Sequence, residues 1–361
     1  MLLETISEVG EDRQNDLVIP SVLQRNAISG LVSVIVPTYN RARLLPDLLA
    51  SLAAQTWKPL EIIIVDDGST DDTQPYLARW AESHDALAVV RLERTNGGPA
   101  AARNLGLRHA SGEYVYFIDS DDIVFPTGIA QMVAALRASG RPYCLAPVDN
   151  ADINGELLPL NFDGVPRWNP QTITASNWMT HGALYRRSAI IAAGAFNETL
   201  RVGEDSEFQW RVVATNPQCH ILPESVGLRR IHGHGHLSAG RGEREKYHDI
   251  TDAFQRFVEW GAARGVITRK ISRSILRANL VIAVNLGCYG DWRGLEACQD
   301  LARSLAPYSS FGAPTLVFAT RPRLSAYYAV VRLAVNSARA ARDRVRIGFR
   351  AFSSRHRQFR P

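Results

Sequence analysis

Cysteine is scarce in this sequence: Cys144, Cys219, Cys288 and Cys298 are the only four in 361 residues. They form no CxxC pair, which argues against a zinc site or a dithiol redox motif and fits buried, inert thiols in a reducing compartment. Long apolar runs are missing as well. The best stretch, around 280–284, falls far short of the roughly 18 uninterrupted apolar residues that a membrane-spanning helix needs, so the chain is not expected to cross a bilayer by itself. Residues 1–30 mix apolar positions with Glu4, Glu8, Glu11 and Asp12 and lack both a basic start and an apolar core. They read as a polar lead-in rather than a secretory signal. There is no internal repeat and no low-complexity linker. What is present is 46% apolar content, enough to bury the core of one large α/β domain.

Charge is uneven along the chain. The net +5 hides a segment, 321–361, with eleven arginines against the single acid Asp343. That local +10 leaves −5 on the remainder, so a basic end with its own partner is expected rather than a nucleic-acid surface throughout. Leu324, Tyr328, Val331, Val335, Val345, Phe349 and Phe352 fall near one helical face, with Arg332, Arg339 and Arg346 on another. An amphipathic basic helix of this kind lies in an anionic lipid interface, or packs its apolar face on the protein with its arginines in water.

From Leu31 short apolar runs alternate with helical spacing. The runs Val32–Val36, Glu61–Val65, Leu87–Leu92 and Glu113–Ile118 lack polar alternation, and helices are expected over Leu44–Leu52, Gln74–Ser83, Pro99–His109 and Thr127–Arg137. Strands buried on both faces and separated by helices predict a parallel sheet in an α/β fold. Ligands of such sheets bind at the loops leaving the carboxyl ends of the strands. Here those loops begin at Pro37-Thr38-Tyr39-Asn40, Asp66-Asp67-Gly68-Ser69, Asn96-Gly97-Gly98 and Asp119-Ser120-Asp121-Asp122. Residues 141–240 are expected to extend the sheet and form the second wall of the cleft. From Tyr247 the pattern is helical to the end, with breaks near 306–314 and at Pro322.

The strongest chemical signal is the cluster Asp119, Asp121 and Asp122. Three acids within four residues repel one another unless a positive group neutralises them, and an all-oxygen donor set suits Mg²⁺ or Mn²⁺ bridging a diphosphate. Asp66 and Asp67 offer acceptors to a base or ribose, and Tyr39 offers a ring on which a base can stack. Asn96-Gly97-Gly98-Pro99 leads into a helix bearing Arg103, so glycines, a helix amino end and a guanidinium are expected to face phosphates. Glu204 and Asp205, followed by Phe208 and Trp210, suggest a general base beside an apolar acceptor wall. His232, His234 and His236 alternate in RIHGHGH, which on a strand would put all three on one side.

These residues carry a resemblance. VSVIVPTYNRARLL, EIIIVDDGSTDDT, NGGPAAARNLGL, GEYVYFIDSDD, GEDSEFQWR and RRIHGHGHLS stand in the order and spacing of family 2 inverting glycosyltransferases, and the sequence resembles that family from about Val32 to Ser238. The resemblance implies a GT-A nucleotide-diphospho-sugar transferase fold, mostly parallel sheet flanked by helices, with residues 31–240 as the catalytic domain. Residues 31–125 would form the nucleotide half and 126–240 the acceptor half, followed by a helical extension 241–320 and the tail 321–361. It implies that Pro37, Tyr39 and Asp67 hold the base, usually uracil, and that Arg103 lies near the nucleotide. Asp121 then matches the ribose-and-metal acid, Asp122 its metal-binding neighbour, Asp205 the general base, and His232 a ligand of metal or diphosphate. The histidine segment is one residue longer than the family's usual spacing, which leaves His232 and His234 as alternatives. The processive QxxRW motif is missing, so one sugar per acceptor is expected. A bacterial polysaccharide-type enzyme of this kind would use a nucleotide-sugar donor and a lipid-linked saccharide acceptor, peripherally on the cytoplasmic face of the inner membrane. A nucleotidyltransferase is disfavoured by the missing GxGTR-like loop after the first strand, and a non-catalytic sugar-nucleotide-binding scaffold by the retention of all the acids.

Overall fold

The computed structural model describes residues 5–7, 26–83, 88–158, 166–232 and 241–308. The four expected strands are β2 (Ile28–Thr38), β3 (Leu60–Asp66), β4 (Ala88–Glu93) and β5 (Gly112–Phe117), preceded by the short β1 (Thr5–Ser7). Between and after them run α1 (Leu45–Ala53), α2 (Thr73–Glu82), α3 (Pro99–His109) and α4 (Gly128–Ser139). The second half adds β6 (Ile123–Val124), β7 (Tyr143–Leu145), β8 (Asp149–Ala151), β9 (Ala183–Arg186), β10 (His220–Ile221) and β11 (Gly227–Arg230), with α5 (Arg187–Ala193) and α6 (Glu204–Thr215).

The larger sheet has the order β1-β4-β3-β2-β5-β9-β7-β10. Neighbours from β1 to β5 are parallel, whereas β9 runs antiparallel to both β5 and β7. A smaller sheet, β6-β11-β8, carries the end of the site. Val32, Val34, Ile35 and Val36 of β2 and Ile62 to Val65 of β3 are fully or almost fully buried, as β-branched strands covered on both faces must be. Leu45, Leu48, Leu49 and Leu52 bury one face of α1. Helix α3 lies close to the sheet because Gly106 has no side chain. A Cβ there would come within 2.5 Å of Ile35 Cγ2. The chain winds outward from β2 through β3 to β4 and then returns to β5 on the other side of β2. The loops of β2, β3 and β5 therefore open at one switch point.

Beyond β5 an aromatic cluster takes over the core. Phe196 stacks on Phe208 at 4.3 Å between centroids, Phe117 meets both edge-on, and Trp210 stacks on Phe254 at 4.7 Å. The C-terminal helices are α7 (Glu243–Ala263), α8 (Arg269–Cys288) and α9 (Trp292–Leu305). Their breaks near residues 264–268 and 289–291 were not evident in the sequence pattern. Gly265 and Gly290, at φ +67 each, close the turns there, the left-handed conformation that glycine takes at helix ends.

The contacts divide the chain into two units, residues 1–241 with 252–274, and 242–251 with 275–361. Within the second, Asp291 caps α9 by accepting Gly294 N–H at 3.0 Å and also pairs with His248 and Arg244. Burial opposes ionisation of Asp291, but these donors outweigh it and hold the carboxyl at about 2. Burial raises the Cys144 and Cys219 thiols to about 12, as inert cysteines require. The tail 321–361 and its expected amphipathic helix lie outside the described residues.

Candidate functional site

Pro37 and Thr38 at the end of β2 pair in register with Val65 and Asp66 of β3, so the two loops leave side by side. Asn40 joins them. It sits at φ +51, a left-handed conformation that Asn tolerates better than most residues, and its Oδ1 accepts Thr70 N–H at 2.8 Å and Asp71 N–H at 3.3 Å. Pro37 is buried, whereas Tyr39 is 44% exposed and presents its ring.

Asp67 is buried and takes three donors: Gly97 N–H at 3.0 Å, Gly98 N–H at 2.8 Å and the Arg94 guanidinium. Burial pushes its carboxyl above the ordinary range, and those three donors pull against it. The glycine turn thus spends these two amides on Asp67, where the sequence pattern suggested phosphate. Arg103 is likewise engaged inside the protein. Its guanidinium donates to Asp119 Oδ1 at 2.7 Å and to Glu204 Oε1 at 2.9 Å, and it lies 5.3 Å from the Phe196 ring centroid. Burial disfavours its charge, yet the two carboxylates outweigh burial and hold it protonated.

The three acids of the DSDD turn point to three different partners. Asp119 meets Arg103. Asp121 accepts from His232 Nε2 at 2.9 Å, with the Arg41 guanidinium 3.8 Å away. Burial works to raise the Asp121 carboxyl, but His232 and Arg41 bring it below the usual range. Asp122, 6% exposed, accepts Arg230 N–H at 3.2 Å through Oδ1 and lies 3.0 Å from His181 Nδ1 through Oδ2. Burial pushes its carboxyl up. The mutual repulsion that the sequence assigned to a metal is therefore relieved by side chains, each acid having a basic partner of its own. Among the described residues no group of three or more His, Cys, Asp or Glu side chains converges to hold an ion. Asp121 and His232, which do meet, could each offer one donor to an ion, a carboxylate oxygen and an imidazole nitrogen.

His232 follows β11, which ends at Arg230, so the alternating strand expected for the histidines does not reach it. His234 and His236 lie outside the described residues. Arg230, Arg41 and His181 were not singled out by the sequence. Arg230 is 1% exposed, and its guanidinium reaches Asp121 O, Leu44 O and the Asp47 carboxylate. It ties the DSDD turn to the start of α1 two residues before His232. No local pattern marks it, because its partners are more than a hundred residues away in sequence.

Glu204 and Asp205 open α6 behind Gly203, whose φ of +82 turns the chain into the helix. Glu204 is buried. Desolvation, with Asp205 adding to it, pushes Glu204 up to about 7 against the opposing Arg103. Asp205 is half-buried, accepting Ser206 N–H at 2.6 Å. Phe208 and Trp210, expected as an exposed acceptor wall, are only 2% and 6% exposed. They belong to the aromatic core because the inner face of α6 packs there.

Comparison with known proteins bears on the family and the fold. Residues 33–193 match the glycosyl transferase family 2 domain. A glycosyltransferase of Rickettsia typhi is 33% identical over 249 residues, covering 64% of this chain and 74% of that protein. The poly(ribitol-phosphate) beta-N-acetylglucosaminyltransferase TarS of Staphylococcus aureus is 44% identical over 232 residues, 60% of this chain and 39% of TarS. The chain spans about half the length of Escherichia coli YibD, a relative at 33% identity over 44% of this chain. Among solved structures, TarS residues 1–349 in complex with UDP-GlcNAc superposes with a TM-score of 0.65 at 22% identity, covering 85% of this chain and 92% of that one. The mannosyltransferase PcManGT from Pyrobaculum calidifontis, with GDP-Man and Mn²⁺, does so at 0.51 and 22% identity, covering 84% and 86%. The fold is thus GT-A, and with the Rickettsia typhi relative matched over most of its length, the chain belongs to glycosyltransferase family 2.

Proposed function

We propose that this chain transfers a single sugar from a UDP-linked donor to an acceptor hydroxyl, with inversion at the anomeric carbon. The observation that carries the reading is the convergence of a donor side, Asp121 with His232, and a base side, Glu204-Asp205, held together by Arg103, which bridges Asp119 and Glu204. Tyr39 would stack on the base and Pro37 would border it. A carboxylate has about four acceptor positions, and three donors already occupy Asp67, which leaves room for one N–H of a pyrimidine. Asp121 would meet the ribose. Mg²⁺ or Mn²⁺, held by Asp121 and His232, would neutralise the departing diphosphate. Asp122, already engaged by Arg230 and His181, would hold the turn in place rather than touch the ion.

Asp205 is the general base in this scheme. It takes the acceptor proton as the oxygen bonds to the anomeric carbon and the bond from that carbon to the diphosphate breaks. Glu204 has a carboxyl better poised near neutrality, but it is buried against Arg103 and faces away from solvent. The acceptor would be a hydroxyl-rich polymer or a lipid-linked saccharide. Relatives named as poly(ribitol-phosphate) transferases support the former, and a basic tail resting on anionic membrane would suit the latter.

Calorimetry with UDP, with and without EDTA, tests the donor site. Affinity is expected to fall when the metal is removed, and equal affinity would remove the metal from the scheme. Tighter binding of GDP or dTDP would overturn the base assignment. Asp205→Asn should keep UDP binding and lose roughly 10²-fold or more in turnover. Turnover at the parent rate would transfer the role to Glu204.

A further inference from the structure

Helix α3 carries Arg103 and Asn104 side by side, and both grip the segment that leads into α6. Asn104 exchanges a reciprocal pair with Phe196, donating from Nδ2 to the carbonyl at 2.9 Å and accepting the N–H at 2.8 Å. Arg103 lies over the ring of that same residue. One of its terminal nitrogens holds Asp119, 16 residues away, and the other holds Glu204, 101 residues away. Its side chain is only 4% exposed. A planar fork, its two terminal nitrogens each committed to a carboxylate, therefore stands between the donor-side acids and the first residue of the helix that bears Asp205.

We propose that Arg103 is a positioning residue: a strut that fixes the distance between the Asp119–Asp122 turn and the Glu204-Asp205 helix start, and not a ligand of the nucleotide. A diphosphate would have to compete with these two carboxylates for a guanidinium whose side chain is only 4% exposed. Lysine cannot replace such a strut, since one ammonium on a flexible stem does not bridge two acids in a fixed plane. Transfer depends on the distance between the base and the anomeric carbon, and a misplacement of about 1 Å costs roughly 10²-fold in rate. The assignment rests on the glycosyltransferase reading above.

The test uses the full chain with Arg103→Lys and, to spare the buried charge, Asp119→Ala, which removes one end of the strut at a position 36% exposed. UDP binding is measured by calorimetry, UDP release from UDP-N-acetylglucosamine and UDP-glucose by turnover, and the amides of the first turn of α6 by hydrogen exchange. The strut predicts UDP affinity within about threefold of the parent, turnover at saturating donor down by roughly 10², and faster exchange at residues 205–208 in both variants. Arg103→Lys combined with Glu204→Gln should lose less than the product of the single losses. Arg103 is a nucleotide ligand instead if Arg103→Lys weakens UDP binding tenfold or more while turnover at saturation holds. Parent-like exchange at residues 205–208 overturns the strut even if neither sugar nucleotide is turned over. If the parent chain binds no UDP, the glycosyltransferase reading fails and the strut fails with it.

Discussion

At the scale of single residues, the site is a set of carboxylates made tolerable by different means. Asp121 is drawn down by an imidazole and a guanidinium, Asp122 is buried against His181, and Glu204 is kept partly protonated by desolvation. Glu204 gives a measurable signature. Its folded carboxyl titrates at about 7 against 4.5 when unperturbed, so as pH rises the unfolded chain releases this proton first. The stability associated with protonated Glu204 is thus complete below pH 4.5 and is lost progressively until about pH 7. Glu204→Gln has no such titration. The unfolding free energy of the parent minus that of the variant should fall across this window and level off above it, by at most about 3 kcal/mol. Urea denaturation of both proteins from pH 4 to 8 checks this, and a difference that stays flat or rises with pH would mean that the carboxyl is ionised throughout.

At the scale of elements, the tightest constraint is the seat of α3 on β2 and β3. Gly106→Ala gains about 1 kcal/mol of helix propensity, but its methyl group would meet Ile35 Cγ2 at 2.5 Å and Val65 Cγ2 at 3.4 Å. Overpacking of this kind costs about 1–3 kcal/mol, so a net loss of up to about 2 kcal/mol is expected in denaturant unfolding. A more stable variant would show that the helix can lift without penalty. The same elements show what the sequence makes legible. β2 to β5 and α1 to α4 stand out because runs of Val and Ile differ from leucines at helical spacing, and each element is long enough for its period to show. β6 to β11 are two to four residues long, too short for any period, and they form because long-range partners hold them. The site divides in the same way. Asp121 and His232 belong to recognisable motifs, and the fold brings them to 2.9 Å of one another. Arg230 and His181 matter only through partners that the fold brings from elsewhere, and the apolar look of Phe208 and Trp210 cannot distinguish an acceptor wall from a core.

At the scale of the whole molecule, charge and assembly order come forward. The last 41 residues carry +10 while the rest carries −5. Removing residues 322–361 is expected to release the protein from anionic vesicles and leave UDP binding intact, since attraction to lipid is worth roughly 1 kcal/mol per basic side chain near the surface. Added salt should weaken vesicle binding of the intact chain by screening. Co-sedimentation measured with UDP titration on both proteins checks this, and a truncated chain that loses UDP binding would show that the tail supports the catalytic domain instead.

The order in which the partners of the acids occur along the chain has a consequence for synthesis. The turn bearing Asp119 to Asp122 leaves the ribosome early, but His181, Glu204, Arg230 and His232 follow only after the next 59 to 110 residues. Until then Asp122 has no imidazole or strand amide to accept, and Arg103 has one carboxylate where it needs two. A nascent chain stalled before residue 181 would contain β2 to β5 in full and still lack His181, Arg230 and His232, the partners of Asp122 and Asp121. Whatever needs the pairing of Asp121 with His232 therefore has to wait until translation has passed residue 232.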